Sequence, residues 1–209
     1  MPYRRTPAVQ ARLDDRRTAI VEAGLGLLAE HGYAGCTMAA VAARAGIATG
    51  SVYRHFPSKA ELSVELFRTV VGREVAAVSE AAALPAHRTA ADRIVAVIET
   101  FASRALKAPR LAYALLAEPV DPAVDAERLV FRRAFRDVFA ERIAAGVRDG
   151  ELPPQDALLT AAALVGAGAE ALTGPLSGTL TAGAPSPGTV PALVTFTLRA
   201  LGVTDADHA

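Results

Sequence analysis

Two neighbouring stretches concentrate hydrogen-bonding and cationic side chains: Thr49-Gly50-Ser51-Val52-Tyr53-Arg54-His55 and Ser58-Lys59-Ala60-Glu61. An arginine can grip a guanine edge with two hydrogen bonds, and serine or threonine hydroxyls can donate to or accept from several bases. Ser58 and Glu61 have the spacing of a capping box, which puts Lys59 in the first turn of a helix, where a cation opposes the dipole. A phosphate held jointly by Lys59 and the exposed N–H groups of that helix end would offset the conflict. Rival chemistries lack their residues. His31, His55, His87 and His208 show no metal-ligand spacing and no cysteine or acid cluster joins them. No nucleophile-elbow sequence occurs. We assign no catalytic residue, metal or cofactor and expect no enzyme.

The elements that must position these residues are two short helices around a glycine. Met38, Val41, Ala42 and Ala45 recur at spacings of three and four, one apolar helix face, with Thr37 placed as its N-cap. Gly46 ends that helix, since the left-handed residue after a helix is tolerated best as glycine. Val52 and Phe56, four apart, face inward on the second helix, leaving Thr49, Ser51, Tyr53, Arg54 and His55 outside. Such a surface reads as a recognition helix; the alternative from spacing alone is an ordinary helical hairpin with a polar exterior.

The residues themselves carry a resemblance. Thr37, Val41 to Ile47 (VAARAGI), Gly50-Ser51-Val52-Tyr53-Arg54-His55-Phe56 and Ser58-Lys59-Ala60-Glu61-Leu62 resemble the helix-turn-helix of the tetracycline-repressor (TetR) family. That resemblance implies phosphate contacts at Thr37, Tyr53, His55 and Lys59. It implies base-edge approach at Thr49, Gly50, Ser51 and Arg54, with Arg44 able to reach either. Ala48 and Thr49 depart from the Ser and Lys frequent in the family, and Thr49 is expected to serve either as helix cap or as base reader.

The formal net charge is zero and the pI about 6.9, but the charge is unevenly divided. Residues 1 to 59 hold eight basic and four acidic side chains, leaving the remainder net acidic by the same four charges. A basic head that meets phosphates and an acidic body that does not would produce this asymmetry. Hydrophobic residues make up 52% of the 209 residues, ample for a core. The single cysteine, Cys36, cannot form an intrachain disulfide and reads as a small buried apolar residue or a redox sensor. The first twelve residues have no apolar run for a signal peptide. The uncharged stretch from Ala171 to Leu198 is interrupted by Pro175, Pro185, Pro187 and Pro191, which argues against a membrane span. The expected location is cytoplasmic.

The chain reads as all-α, about nine helices. Residues 1–12 form an expected flexible basic arm, either laid along DNA or simply solvated. Residues 13–59 form the helix-turn-helix head, with the motif at 37–56, and 60–209 the body. In the head a helix runs from Asp14 to the stop at Gly32. A helix from Ser58 runs to about Ala81, Thr89 with Asp92 caps the next, and Asp121-Pro122 opens a long one whose buried face carries Phe131, Phe135 and Phe139. The segment from Pro154 to Thr173 is apolar nearly all round, so it must be covered on two sides. With a final helix near Thr189 to Leu201 it is expected to build a four-helix interface between two copies through Leu158, Ala162, Val165, Ala169, Leu172, Val194, Leu198 and Leu201; the TetR resemblance implies the same homodimer.

In that family a small ligand entering the body shifts the spacing of the heads and releases DNA. Phe67, Phe101, Tyr113, Phe131 and Phe135 are the candidate pocket walls, or plain core. Glu170, a lone acid in an apolar helix, either orients a cationic or hydroxylated ligand, caps the interface rim or reaches solvent. The resulting reading is a homodimeric regulator, a repressor binding a palindromic double-stranded DNA operator and released by a small apolar effector. The reading from another class is an all-helical small-molecule-binding or interaction protein without operator recognition.

Overall fold

The computed structural model describes residues 7–83, 89–177 and 188–203. Among them are nine helices and no strand: α1 (Pro7–Gly35), α2 (Met38–Arg44), α3 (Thr49–His55), α4 (Lys59–Ala82), α5 (Ala90–Lys107), α6 (Pro109–Leu116), α7 (Pro122–Arg148), α8 (Ala157–Ser177) and α9 (Thr189–Ala200). The all-helical expectation holds. Arg4, Arg5, His87, His208 and most of the loop after Ser177 lie outside the described residues.

Local chemistry accounts for most boundaries. Thr37 Oγ1 accepts the Ala40 N–H at 3.1 Å and starts α2, and Gly46 at φ 66° ends it. Thr89 and Asp92 exchange both bonds of a capping box at α5. Asp121 accepts the Ala123 N–H at 2.9 Å, ahead of Pro122, which as the first helical residue has no N–H to orphan. Ser58 Oγ accepts the Glu61 N–H at 3.1 Å.

Two boundaries differ from expectation. The helix of the head begins at Pro7 rather than near Asp14, so Arg12 rides on α1 instead of a flexible arm; a proline is tolerated in a first turn, and Gln10 bridges to Asp14 at 2.9 Å one turn on. α8 starts later, where Asp156 accepts the N–H groups of Leu158 and Leu159, and continues through Pro175 to Ser177. A proline so near the helix end forfeits a single backbone bond. The resulting 21-residue helix is long and apolar enough to cross a membrane by length and composition, with 22% of its apolar window buried.

The chain forms two compact units. The first holds the described residues up to Val70 together with Glu118–Glu127. Its core is Ile20, Leu28, Val41, Val52, Phe56, Leu62, Leu66 and Phe67, each at most 2% exposed. The second holds the described residues of Val71–Ala117 and those from Arg128 onward, and centres on Ile94, Val97, Phe135, Phe139, Ile143, Leu164 and Leu172.

Candidate functional site

The recognition helix α3 is seven residues long, too short to be stable in water alone, so its neighbours must hold it. Val52 and Phe56 are 0% and 2% exposed and lock one face into the core, while Tyr53 is 49% exposed and Thr49, Gly50 and Arg54 also face outward. A Cβ at Gly50 would meet no atom within 4 Å. The front of the helix is therefore open for close approach to another surface.

Two expectations about α3 need correcting. Ser51 is not on the outer surface: it is 8% exposed, and its hydroxyl accepts from the Arg54 guanidinium at 2.8 Å. Three residues apart on a helix, the two side chains stack along the axis, so Ser51 is bonded to Arg54 rather than standing free on the outer surface. Thr49 does not cap the helix. Ala48 occupies the N-cap with no side-chain bond, and Thr49 is the exposed first helical residue.

Arg44 is also engaged within the head. Both of its guanidinium arms bond Glu30, one at 2.8 Å. The pairing holds the Glu30 carboxyl below its usual range and keeps Arg44 protonated. Thr37 and Lys59 sit at the starts of α2 and α4 as expected, Lys59 exposed. His55 is half-buried. Desolvation first, then repulsion from Arg16, Arg17 and Arg54, holds its imidazole below the usual range. A nearby phosphate would reverse that balance.

Cys36 is 1% exposed and donates weakly to the Gly24 carbonyl; burial pushes its thiol up to about 11. It is a core residue, since the reactive form of cysteine is the thiolate.

Sequence reasoning missed Glu118. Its carboxylate accepts the backbone N–H groups of Tyr33 and Ala34 at 3.0 and 3.1 Å, just beyond Gly32, whose φ of 68° breaks α1. Glu127, nine residues later, holds Arg68 of α4 through two bonds at 2.9 and 2.7 Å. Partners 85 and 59 residues apart leave no local pattern to read.

In the second unit, α5, α6, α7 and α8 line an apolar cleft. Phe101, Phe131 and Phe135 wall it as expected. Phe135 meets the other two rings edge to face at centroid distances of 5.2 and 4.5 Å, the arrangement the aromatic quadrupole favours. The other candidates fall elsewhere. Phe67 is buried in the core of the first unit, half-buried Tyr113 is not among the cleft walls, and Glu170 is exposed outside it. Arg128 and Arg132 take part instead, with no carboxylate among the walls. Arg128 bonds the Leu115 and Ala114 carbonyls at 3.0 and 2.8 Å, fastening the end of α6 to α7. Residues expected to meet a second copy divide likewise. Leu158 is 58% exposed, Ala162 is exposed, and Val165, Ala169, Val194 and Leu198 are half-buried. Leu172 and Leu201 are 0% exposed and belong to their own core. Leu159 at 68% and Phe196 at 47% exposed were not anticipated.

A glycine-turn helix pair with this outward surface has the geometry of a helix-turn-helix motif. The family model described as "Bacterial regulatory proteins, tetR family" matches residues 20–66. The HTH-type transcriptional regulator YhgD of Bacillus subtilis (strain 168) is 28% identical over 152 residues, 70% of this chain and 77% of that protein. The HTH-type transcriptional repressor KstR of Rhodococcus jostii (strain RHA1) is 32% identical over 101 residues, 48% of this chain and 46% of the repressor. A TetR transcription regulator from Haloarcula marismortui ATCC 43049 superposes with a TM-score of 0.74 over 90% of this chain and 97% of its own, at 18% identity. The FadR regulator of Bacillus subtilis, solved with stearoyl-CoA, has a TM-score of 0.69 over 88% and 96% at 20% identity. At such identities the structures share a fold. Residues 20–66 are thus similar to the bacterial tetR-family regulators, and the chain shares the fold of solved members of that family.

Proposed function

We propose that the protein is a repressor that binds a palindromic operator as a homodimer and lets go when a small apolar effector enters the cleft of its second unit. The observation that carries the DNA-reading half is the front of α3. Gly50 has open space before it, Tyr53 and Arg54 stand outward beside it, and Lys59 opens the next helix. Tyr53, His55 and Lys59 then hold phosphates, which fixes register, while Arg54 reads a base edge.

The exposed apolar residues of α8 and α9 support pairing with a second copy. Leu158, Leu159 and Phe196 are each about half exposed or more, and a helix without a hydrophilic face needs cover on both sides. A two-fold pair sets two recognition helices to consecutive major grooves. The three edge-packed phenyl rings of the cleft, with Arg132 in its lining, favour an effector with an apolar tail and an anionic head, a description that fits an acyl chain such as the one carried by the FadR ligand.

The test is selection of bound duplexes from a random pool, followed by measurement of their release by dodecanoate, dodecanoyl-CoA and dodecanol. An inverted repeat that the two anionic probes release and the alcohol does not agrees with the proposal. A selected repeat that none of the three releases would remove the acyl effector while leaving the operator reading intact.

A further inference from the structure

Arg17 enters the sequence only as one more positive charge of the head, yet its side chain meets α3, the residue that follows it and α4. Nη1 donates to the His55 carbonyl at 3.2 Å, Nη2 lies 3.0 Å from the Glu65 carboxylate of α4, and Cζ stands 4.2 Å over the Phe56 ring. His55 is the last residue of α3, and Phe56 follows it in an extended conformation, φ −134° and ψ 96°. The helix therefore has no left-handed glycine to close its end, and its last carbonyls need donors from elsewhere. Arg17 supplies one, places a cation at the negative pole of α3, and covers the ring that anchors the helix. With no side-chain cap at Ala48 either, α3 is held at its far end by a residue of α1.

We propose that Arg17 is a positioning residue for operator reading: clamped by Glu65, it fixes the end of α3 so that Tyr53 and Arg54 meet the groove in register, and it does not itself bind a phosphate. This rests on the DNA-reading role of α3. The competing role for a basic residue here is a phosphate contact, and the two differ in sign and in salt dependence. Removing a carboxylate from a DNA-binding head ordinarily strengthens attraction to a polyanion. If Glu65 instead serves to hold Arg17, its removal weakens specific binding.

Full-length wild type, Arg17→Met, Arg17→Lys, Glu65→Gln and the double variant Arg17→Met/Glu65→Gln are compared on duplexes selected by the wild type and on unrelated duplex, over a range of salt. Each single variant is expected to lose about tenfold on selected DNA. Binding to unrelated duplex and the salt slope should stay unchanged, and the double variant should do no worse than Arg17→Met. Lysine fails as well because it cannot bond a carbonyl and a carboxylate while lying flat on a ring. Amide exchange without DNA supplies an independent arm, with faster exchange at residues 53–56 expected in all four variants. Uniform loss on every duplex with the salt slope reduced by about one would make Arg17 a phosphate contact and overturn the proposal. So would tighter binding by Glu65→Gln, or unchanged exchange at residues 53–56. A wild type that selects no sequence would instead remove the operator reading itself.

Discussion

Arg54 and its helix neighbour Ser51 act as a pair, and this sets the first expectation. Arg54→Ala should lose about 1–3 kcal/mol of discrimination at one base position, the range for a bidentate contact. Ser51→Ala should lose about 1 kcal/mol of that discrimination in the wild type and nothing further in the Arg54→Ala background, since it works through the guanidinium it holds. Competition binding against single-base variants of the selected site reads both; additive losses would give Ser51 a base contact of its own. His55 sets the second. Its imidazole is held low by burial and by the surrounding arginines, so the unfolded chain takes up the proton first. The stability it contributes is present above about 6.5 and is lost as pH falls below that toward the lower value of the folded imidazole. A DNA phosphate favours the protonated ring, so binding takes up a proton. Operator affinity should rise as pH falls from about 8 to about 6, and thermal stability should decline only below about 6.5. His55→Gln should flatten the first dependence; an equally steep profile in the variant would assign the proton elsewhere. Some of this residue chemistry was legible in the sequence. Thr37, Thr89 with Asp92 and Asp121 cap as their spacing requires, because a cap is a contact between residues two or three apart. The burial of Ser51 and the engagement of Arg44 by Glu30 were not legible, because both depend on how α1, α2 and α3 come together.

At the scale of elements, the head is held by carboxylates that no local pattern announces. Glu118 satisfies two N–H groups where Gly32 breaks α1, and a Cβ at Gly32 would stand 2.5 Å from its Oε2. Gly32→Ala should therefore destabilise by about 1–3 kcal/mol, from left-handed strain and from the displaced carboxylate together. Glu118→Ala should cost a similar amount by leaving two N–H groups without their acceptor. Chemical denaturation measures both, and a Gly32→Ala variant as stable as the wild type would mean that the turn relaxes freely. Helix α8 shows the opposite limit of sequence reading. Its apolar character was plain, but a helix apolar on every face carries no phase. Which of its residues turn inward was settled by packing: Ala161, Leu164, Gly168, Leu172 and Leu176 are buried while Glu170 and Leu159 are not.

The whole molecule pairs a helix-turn-helix unit, net basic over residues 1–59, with a helical unit that offers an apolar cleft and an apolar outer surface. Leu159→Arg, on that outer surface, should give folded monomers in sedimentation, because the side chain has few contacts within its own chain. Leu172→Arg should instead unfold the unit, since its site is 0% exposed and an unpaired buried charge costs several kcal/mol. A Leu159→Arg protein that stays dimeric would place the partner elsewhere. In the proposed function the front of α3, displayed twice by a two-fold pair, reads an inverted repeat. Selection of duplexes from a random pool by the full-length protein tests it most directly. An enriched palindrome with half-sites about 10–11 base pairs apart or somewhat more is expected, lost together with all enrichment in a Tyr53→Ala/Lys59→Ala variant. Recovery of no preferred sequence by the wild type would contradict it.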